Sequence, residues 1–136
     1  MKASGAHAPL GEEYLQRFLA RPDNILIVAE DDGGPVGFLL AYALDRVDRD
    51  QKMVCLYEIE VASAHRRRGV GAALVEEHKE YCRRDRVTKA WVVTNRSNGA
   101  AVRLYESTGA RAATETDDVV FVYEPAERPS SESSVG

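Results

Sequence analysis

The stretch from Met53 to Asp85 constrains the fold more than any other part of the chain. Met53–Val61 is rich in strand formers and ends with Glu58 and Glu60. Gly69–Asp85 carries Val70, Ala73, Leu74, His78 and Tyr81 at helical spacing, with Glu76, Lys79, Glu80, Arg83 and Arg84 on the wet side. Between strand and helix stands Arg66-Arg67-Arg68-Gly69-Val70-Gly71-Ala72. A strand, a glycine-containing loop and a helix in that order expose consecutive backbone N–H groups at the helix start, which is an anion cradle. Glycine lets backbone approach a bulky phosphate, and the arginines add positive charge. An arginine triplet alone is an ordinary solvated run, and two glycines alone are a tight turn; the conjunction after an acidic strand end points to a phosphate-bearing ligand. The Gly-Lys-Ser/Thr ending of a nucleotide-triphosphate loop and the G-x-G-x-x-G of a dinucleotide site are both missing.

Around this unit the pattern alternates. Glu12–Ala20 is a helix by the spacing of Tyr14, Leu15, Phe18 and Leu19, broken by Pro22-Asp23-Asn24. Ile25–Glu30 and Pro35–Leu44 are two strands joined through Asp31-Asp32-Gly33-Gly34, a hairpin. In Met53–Val61 strict alternation puts Val54, Leu56, Glu58 and Glu60 on one face and Cys55, Tyr57, Ile59 and Val61 on the other. Lys89–Thr94 is a further strand. Ser97 or Asn98 caps a short helix to Ser107, ended by Gly109. Val119–Tyr123 reads as a last strand, with Ala110–Thr114 as its partner. The sum is an α+β chain, a mixed and mostly antiparallel central sheet with flanking helices.

At 136 residues this is one domain: residues 1–10 as a loose lead, 11–124 as the folded unit and 125–136 as a disordered Pro/Ser/Glu tail. The 18 Lys and Arg against 22 Asp and Glu leave a net charge of -4, which argues against nucleic acid and suits a cationic partner. Cys55 and Cys82 form neither a disulfide framework nor a zinc spacing, so no metal is expected and both read as reduced thiols of a cytoplasmic protein. No run approaches the roughly 20 apolar residues of a membrane span.

A second segment, Asn98-Gly99-Ala100-Ala101-Val102-Arg103-Leu104-Tyr105-Glu106-Ser107-Thr108-Gly109-Ala110, completes the pattern. Together the two segments resemble the GNAT superfamily of N-acetyltransferases. Arg66, Gly69 and Gly71 fit its R/Q-x-x-G-x-G/A signature, and Asn98, Ala101, Leu104, Tyr105 and Gly109 fit its N-x-x-A-x-x-L-Y-x-x-x-G segment, with Ala110 in place of the usual aromatic. The resemblance implies acetyl-CoA as cosubstrate. Its pyrophosphate would rest on the Arg67–Ala72 amides, beside Arg66, Arg68, Gly69, Val70 and Gly71. Its pantetheine arm would lie against Ile59 and Val61, where Met53–Val61 parts from Lys89–Thr94, with Asn98 and Ala101 on the arm. It also implies Tyr105 as proton donor to the leaving thiolate, a sensible task for a phenol titrating near 10.

The acceptor amine must lose a proton, and Glu58 or Glu60 is the candidate base, directly or through water. Same-face residues two apart on a strand lie roughly 7 Å apart, and like charges at that spacing favour proton uptake by one of them. Both acids could equally be solvent-facing, or merely attract a cation. Cys55 lacks a histidine to activate it as a nucleophile. His65 could touch a phosphate or be an ordinary loop residue; His78 and Trp91 read as packing. Within the superfamily, Tyr57-Glu58-Ile59-Glu60-Val61 with the segments that follow is most similar to type I aminoglycoside 3-N-acetyltransferases. Asp45, Asp48, Asp50, Asp117 and Asp118 would add negative charge for a polyamine sugar. A protein N-terminus, a lysine, another small amine, or acetyl-CoA binding without catalysis stay open. Only about eleven residues precede the first helix, where the superfamily usually has a strand and a helix. The expectation is a shortened N-terminal layer compensated by a homodimer.

Overall fold

The structure is a computed structural model that describes residues 11–113 and 119–124. The proposed lead over residues 1–10 and tail over 125–136 lie outside the described residues, as do Thr114, Asp117 and Asp118. Four strands and three helices follow in the order α1 (Glu12–Ala20), β1 (Asn24–Asp31), β2 (Gly34–Asp45), β3 (Lys52–Val61), α2 (Val70–Arg84), β4 (Val87–Trp91) and α3 (Gly99–Ser107). The sheet order is β1-β2-β3-β4; the first three strands are antiparallel and β4 lies parallel to β3. This is the mixed, mostly antiparallel sheet with flanking helices that the sequence predicts.

The hairpin β1–β2 closes where Asp31 pairs Gly34; Gly34 has φ +116°, and the Gly33 amide donates to Asp31 Oδ1 at 2.8 Å. Ile25, Leu39, Ala41, Ala43, Val54, Leu56 and Ile59 form one buried sheet face, and Leu74 and Val75 of α2 pack onto it. Leu39 and Val54 are fully enclosed, each contributing roughly 1.5–3 kcal/mol of burial. His78 is also buried on α2, as packing predicted, and burial lowers its imidazole below the usual histidine range. α1 reaches the sheet at its β1 end, where Asn24 Nδ2 donates to Phe18 O at 3.0 Å.

Two expectations fail. The alternation read along β3 breaks at a bulge: Leu40 pairs Glu58 and Ala41 pairs Leu56, leaving Tyr57 as the extra residue. Ile59 therefore joins Val54 and Leu56 in the core, while Glu58 and Glu60 turn to the opposite face. Hydrophobic periodicity cannot see an inserted residue, because each half of the strand alternates correctly by itself. The second failure is the closing hairpin. Val119–Tyr123 is not a strand, and each of its residues is at least 66% exposed; residues 110–113 are not a strand either. β-propensity alone makes no strand: among the described residues no strand pairs with this segment.

Candidate active site

β3 holds its two neighbours unequally. The β4 ladder runs from Lys52–Val87 to Cys55–Trp91 and stops there, while the β2 ladder continues to Val61. Among the described residues, β3 from Leu56 onward has a strand on one side only. This is the parting expected of Met53–Val61 and Lys89–Thr94, although β4 itself ends at Trp91. Ile59 faces the core at this opening, and Val61 packs against the core from its end.

At that end the chain turns through a short 3-10 turn (Ser63–His65) into the arginine loop. Arg67 has φ 64° and Gly69 φ 82°, two left-handed residues within three positions. Such alternation turns successive N–H groups toward one point, an anion nest. For Arg67 the conformation costs roughly 1–2 kcal/mol, a strain that propensity does not announce. Gly69 is the N-cap of α2 but offers no side chain, and the helix has no acid in its first turn. The first intrahelical bond is from Ala73 N–H to Gly69 O, so the amides of Val70, Gly71 and Ala72 precede the ladder. Arg66 Nε donates to Val61 O at 3.3 Å, tying the loop to the strand end.

The two glycines have different reasons. A Cβ on Gly69 would meet nothing within 4 Å, so its constraint is the backbone angle. A Cβ on Gly71 would stand 3.4 Å from Leu104 Cδ2, so Gly71 is the seat of α3 and not only a gap for phosphate. Gly37 escaped sequence reading: its Cβ would lie 2.8 Å from Glu60 O and 3.3 Å from Val70 Cγ1, locking β2, β3 and α2 together at the loop. A glycine inside a strand pattern is the signal that could have found it.

Asn98 Oδ1 accepts from the Ala101 amide at 3.1 Å, so Asn98 caps α3 and leaves its amide nitrogen free of that bond. Leu104 and Tyr105 pack against the core, and burial raises the Tyr105 hydroxyl above the ordinary phenol range. Lys79 Nζ donates to Thr108 O at 2.8 Å, fastening the end of α3 to α2. His65 Nε2 lies 2.9 Å from Asp31 Oδ2, so it latches the turn to the β1–β2 hairpin instead of reaching for a ligand. The Gly33 amide first, and His65 second, hold the Asp31 carboxyl below its usual range. Cys55 is half-buried and burial raises its thiol, which disfavours the thiolate.

An uncapped, strained loop at a strand end, a one-sided strand carrying two acids and a helix seated by its tyrosine turn converge at one end of the sheet. The chain matches the acetyltransferase (GNAT) family over residues 3–110. It belongs to the GNAT acetyltransferase family. That family uses acetyl-CoA, and the nest and the bare first turn of α2 suit its phosphates. This GNAT chain is 35% identical over 78 residues to the ribosomal protein bS18-alanine N-acetyltransferase of Escherichia coli strain K12, covering 57% of this chain and 51% of that protein. It is 32% identical over 104 residues to the protein of the same name from Salmonella typhimurium strain LT2, covering 76% of this chain and 60% of that one. It thus spans between about half and three-fifths of the length of these relatives. A crystal structure of an aminoglycoside acetyltransferase from an uncultured soil metagenomic sample superposes with a TM-score of 0.74 at 29% identity, covering 89% of this GNAT chain and 77% of that one. Among the described residues no helix is long and apolar enough to cross a membrane.

Proposed function

We propose that the chain is an acetyl-CoA-dependent N-acetyltransferase, that its acceptor is an amine of a cationic small molecule, and that this molecule is an aminoglycoside acetylated at its 3-amino group. The observation that carries the transferase reading is the nest of Arg67 and Gly69 opening onto the uncapped α2, beside the one-sided half of β3. In this reading the amides of Arg67–Ala72, with Arg66 and Arg68, hold the pyrophosphate. The open edge of β3 through Ile59 and Val61 receives the pantetheine amides. Asn98 contributes its free amide hydrogens and Ala101 the backbone against which the arm lies.

The chemistry falls to three side chains. Glu58, with Glu60 as the alternative, takes a proton from the acceptor ammonium, directly or through one water, so that a neutral nitrogen forms the new N–C bond. As the thioester C–S bond breaks, Tyr105 gives its hydroxyl proton to the sulfur. Its raised pKa keeps that proton in place at neutral pH. The proton that the acetylated nitrogen must still lose returns through water to the Tyr105 phenolate. General acid and base help of this kind is worth roughly 10²–10⁴-fold each.

Similarity to the soil aminoglycoside acetyltransferase and the acids on the sheet face opposite the core, in the one-sided half of β3, support the aminoglycoside. The relatives named for the alanine of a ribosomal protein favour a second reading, a protein N-terminal amine. A panel of amines incubated with acetyl-CoA and read by mass spectrometry tests both. Acetylated gentamicin with no acetylated Ala-first peptide supports the first reading. The reverse result replaces it with the second, and no acetylated product overturns the transferase.

A further inference from the structure

The bulge in β3 does more than reverse the acids. An extra residue at Tyr57 leaves Tyr57 and Glu58 adjacent on the face turned away from α2, where Leu40 and Tyr42 of β2 also stand. The Tyr57 and Tyr42 rings meet edge to face, with centroids 5.6 Å apart and planes at 66°. Tyr57 is 64% exposed, a large aromatic in water beside a carboxylate. Glu58 makes no side-chain hydrogen bond or ion pair among the described residues. Tyr14, on α1, is occupied already: the Arg17 guanidinium lies 5.9 Å from its centroid. Of Tyr14, Tyr42 and Tyr57, Tyr57 presents the most exposed ring.

We propose that Tyr57, steadied by Tyr42, is a specificity-determining residue whose ring face holds an ammonium group of the acceptor next to Glu58. The chemistry is that of a cation over an aromatic quadrupole, and the adjacent carboxylate adds direct charge attraction. A polyamine can keep one ammonium over the ring while a second nitrogen gives its proton to Glu58; an amine with a single nitrogen cannot be held at the ring and react at the same time. The surface thus selects acceptors bearing two or more ammonium groups. The Tyr42 hydroxyl is raised by burial first, then by Tyr57, Tyr14 and Glu58, in keeping with rings and carboxylate sharing one small region.

This inference rests on the N-acetyltransferase reading for its consequence, but its test does not require turnover. Gentamicin is titrated calorimetrically into wild type, Tyr57→Phe and Tyr57→Leu, with sucrose as the neutral control, after circular dichroism establishes that each variant is folded. Tyr57→Phe keeps the ring and should bind as wild type does. Tyr57→Leu keeps apolar area without the quadrupole and should weaken gentamicin by about 2- to 30-fold, with acetyl-CoA affinity unchanged. Equal affinity in all three proteins, equal losses in both variants, or no gentamicin binding to wild type overturns the subsite. Binding that depends on Tyr57 without any acetylated product leaves the subsite standing and overturns the enzymatic reading; acetylation with Tyr57→Leu at wild-type affinity does the opposite.

Discussion

β3 is two strands in one. From Lys52 to Cys55 it is paired on both sides and alternates strictly, with Val54 fully buried. From Leu56 to Val61 it is paired only to β2, carries a bulge, and turns its acids away from the core. The first half does what a central strand does: it fills space and is paired on both sides, with one register shift against β4 between Lys52 and Met53. The second half leaves backbone edge and the Glu58 carboxylate available, and every candidate catalytic or donor-binding group lies on it or next to it. The comparison teaches where a small domain keeps its site, at the place where regular pairing stops but a rigid neighbour continues.

Substitutions in the two halves should fail in different ways. The largest effect belongs to the chemistry. Glu58→Gln keeps shape and removes the base, and kcat should fall roughly 10²–10⁴-fold with a smaller change in KM. Tyr105→Phe should lose a similar factor while folding normally. If Glu58→Gln raises the acceptor KM with kcat nearly intact, Glu58 is an attractor for cations and Glu60 becomes the base to test. In the other half, Val54→Ala should cost about 2 kcal/mol of stability in urea unfolding and leave kcat unchanged well below the midpoint. A large kcat loss in folded Val54→Ala would break the division between the halves.

The next effect separates the glycines at the second half's end. Gly69→Ala enters open space at φ 82°, so its penalty is strain of roughly 1–2 kcal/mol, taken up by flattening the nest. Acetyl-CoA affinity should drop while kcat at saturation holds. Gly71→Val instead presses on Leu104, next to Tyr105, so kcat should fall more than donor affinity does. The same pattern from both variants would mean that the two glycines serve one purpose. Calorimetric titration of acetyl-CoA alongside steady-state kinetics distinguishes the cases.

How much of this was legible in advance follows the same line. The helices and the β1–β2 hairpin could be read because each rests on local pattern: Tyr14, Leu15, Phe18 and Leu19 in one stripe, Asp-Asp-Gly-Gly between two apolar runs, and a loop whose glycines announce a helix start; the parting of β3 from β4 was implied only by the family resemblance. Glu58 and the Arg66–Ala72 loop were named from local pattern, whereas the role of Tyr105 came only from the family resemblance. A bulge in this strand was foreseen from the family resemblance as a way to invert the parity, but its position at Tyr57 was not, nor were the left-handed Arg67, the seating of Leu104 on Gly71 and the His65–Asp31 latch; the bulge, the seating and the latch are each set by a partner distant in sequence. The expected strand at Val119–Tyr123 shows the converse, a strong local propensity that pairs with no strand among the described residues.

The smallest expected effect concerns what supports the first half. α2 starts beside Val61 and ends at Arg84, shortly before Val87 pairs with Lys52, so its later turns, with His78, lie toward the doubly paired end of β3. Burial lowers the His78 imidazole below its usual value near 6.5, and its Nδ1 has no hydrogen-bond partner. The unfolded chain therefore takes up this proton at a higher pH than the folded chain does. Above the unfolded value both states are neutral and the full stability is present. As pH falls from about 6.5 toward the lowered folded value, the unfolded state gains a proton that the folded state refuses, and stability drops by at most about 1.4 kcal/mol per pH unit from this group. His78→Phe keeps a ring in the site and cannot titrate, so its stability should fall less than wild type between pH 7 and 5, measured by urea midpoints across that range. Parallel curves for the two proteins would place the acid sensitivity elsewhere. A flatter curve for the variant would make the doubly paired half of β3 the part of the sheet whose support depends on a neutral histidine.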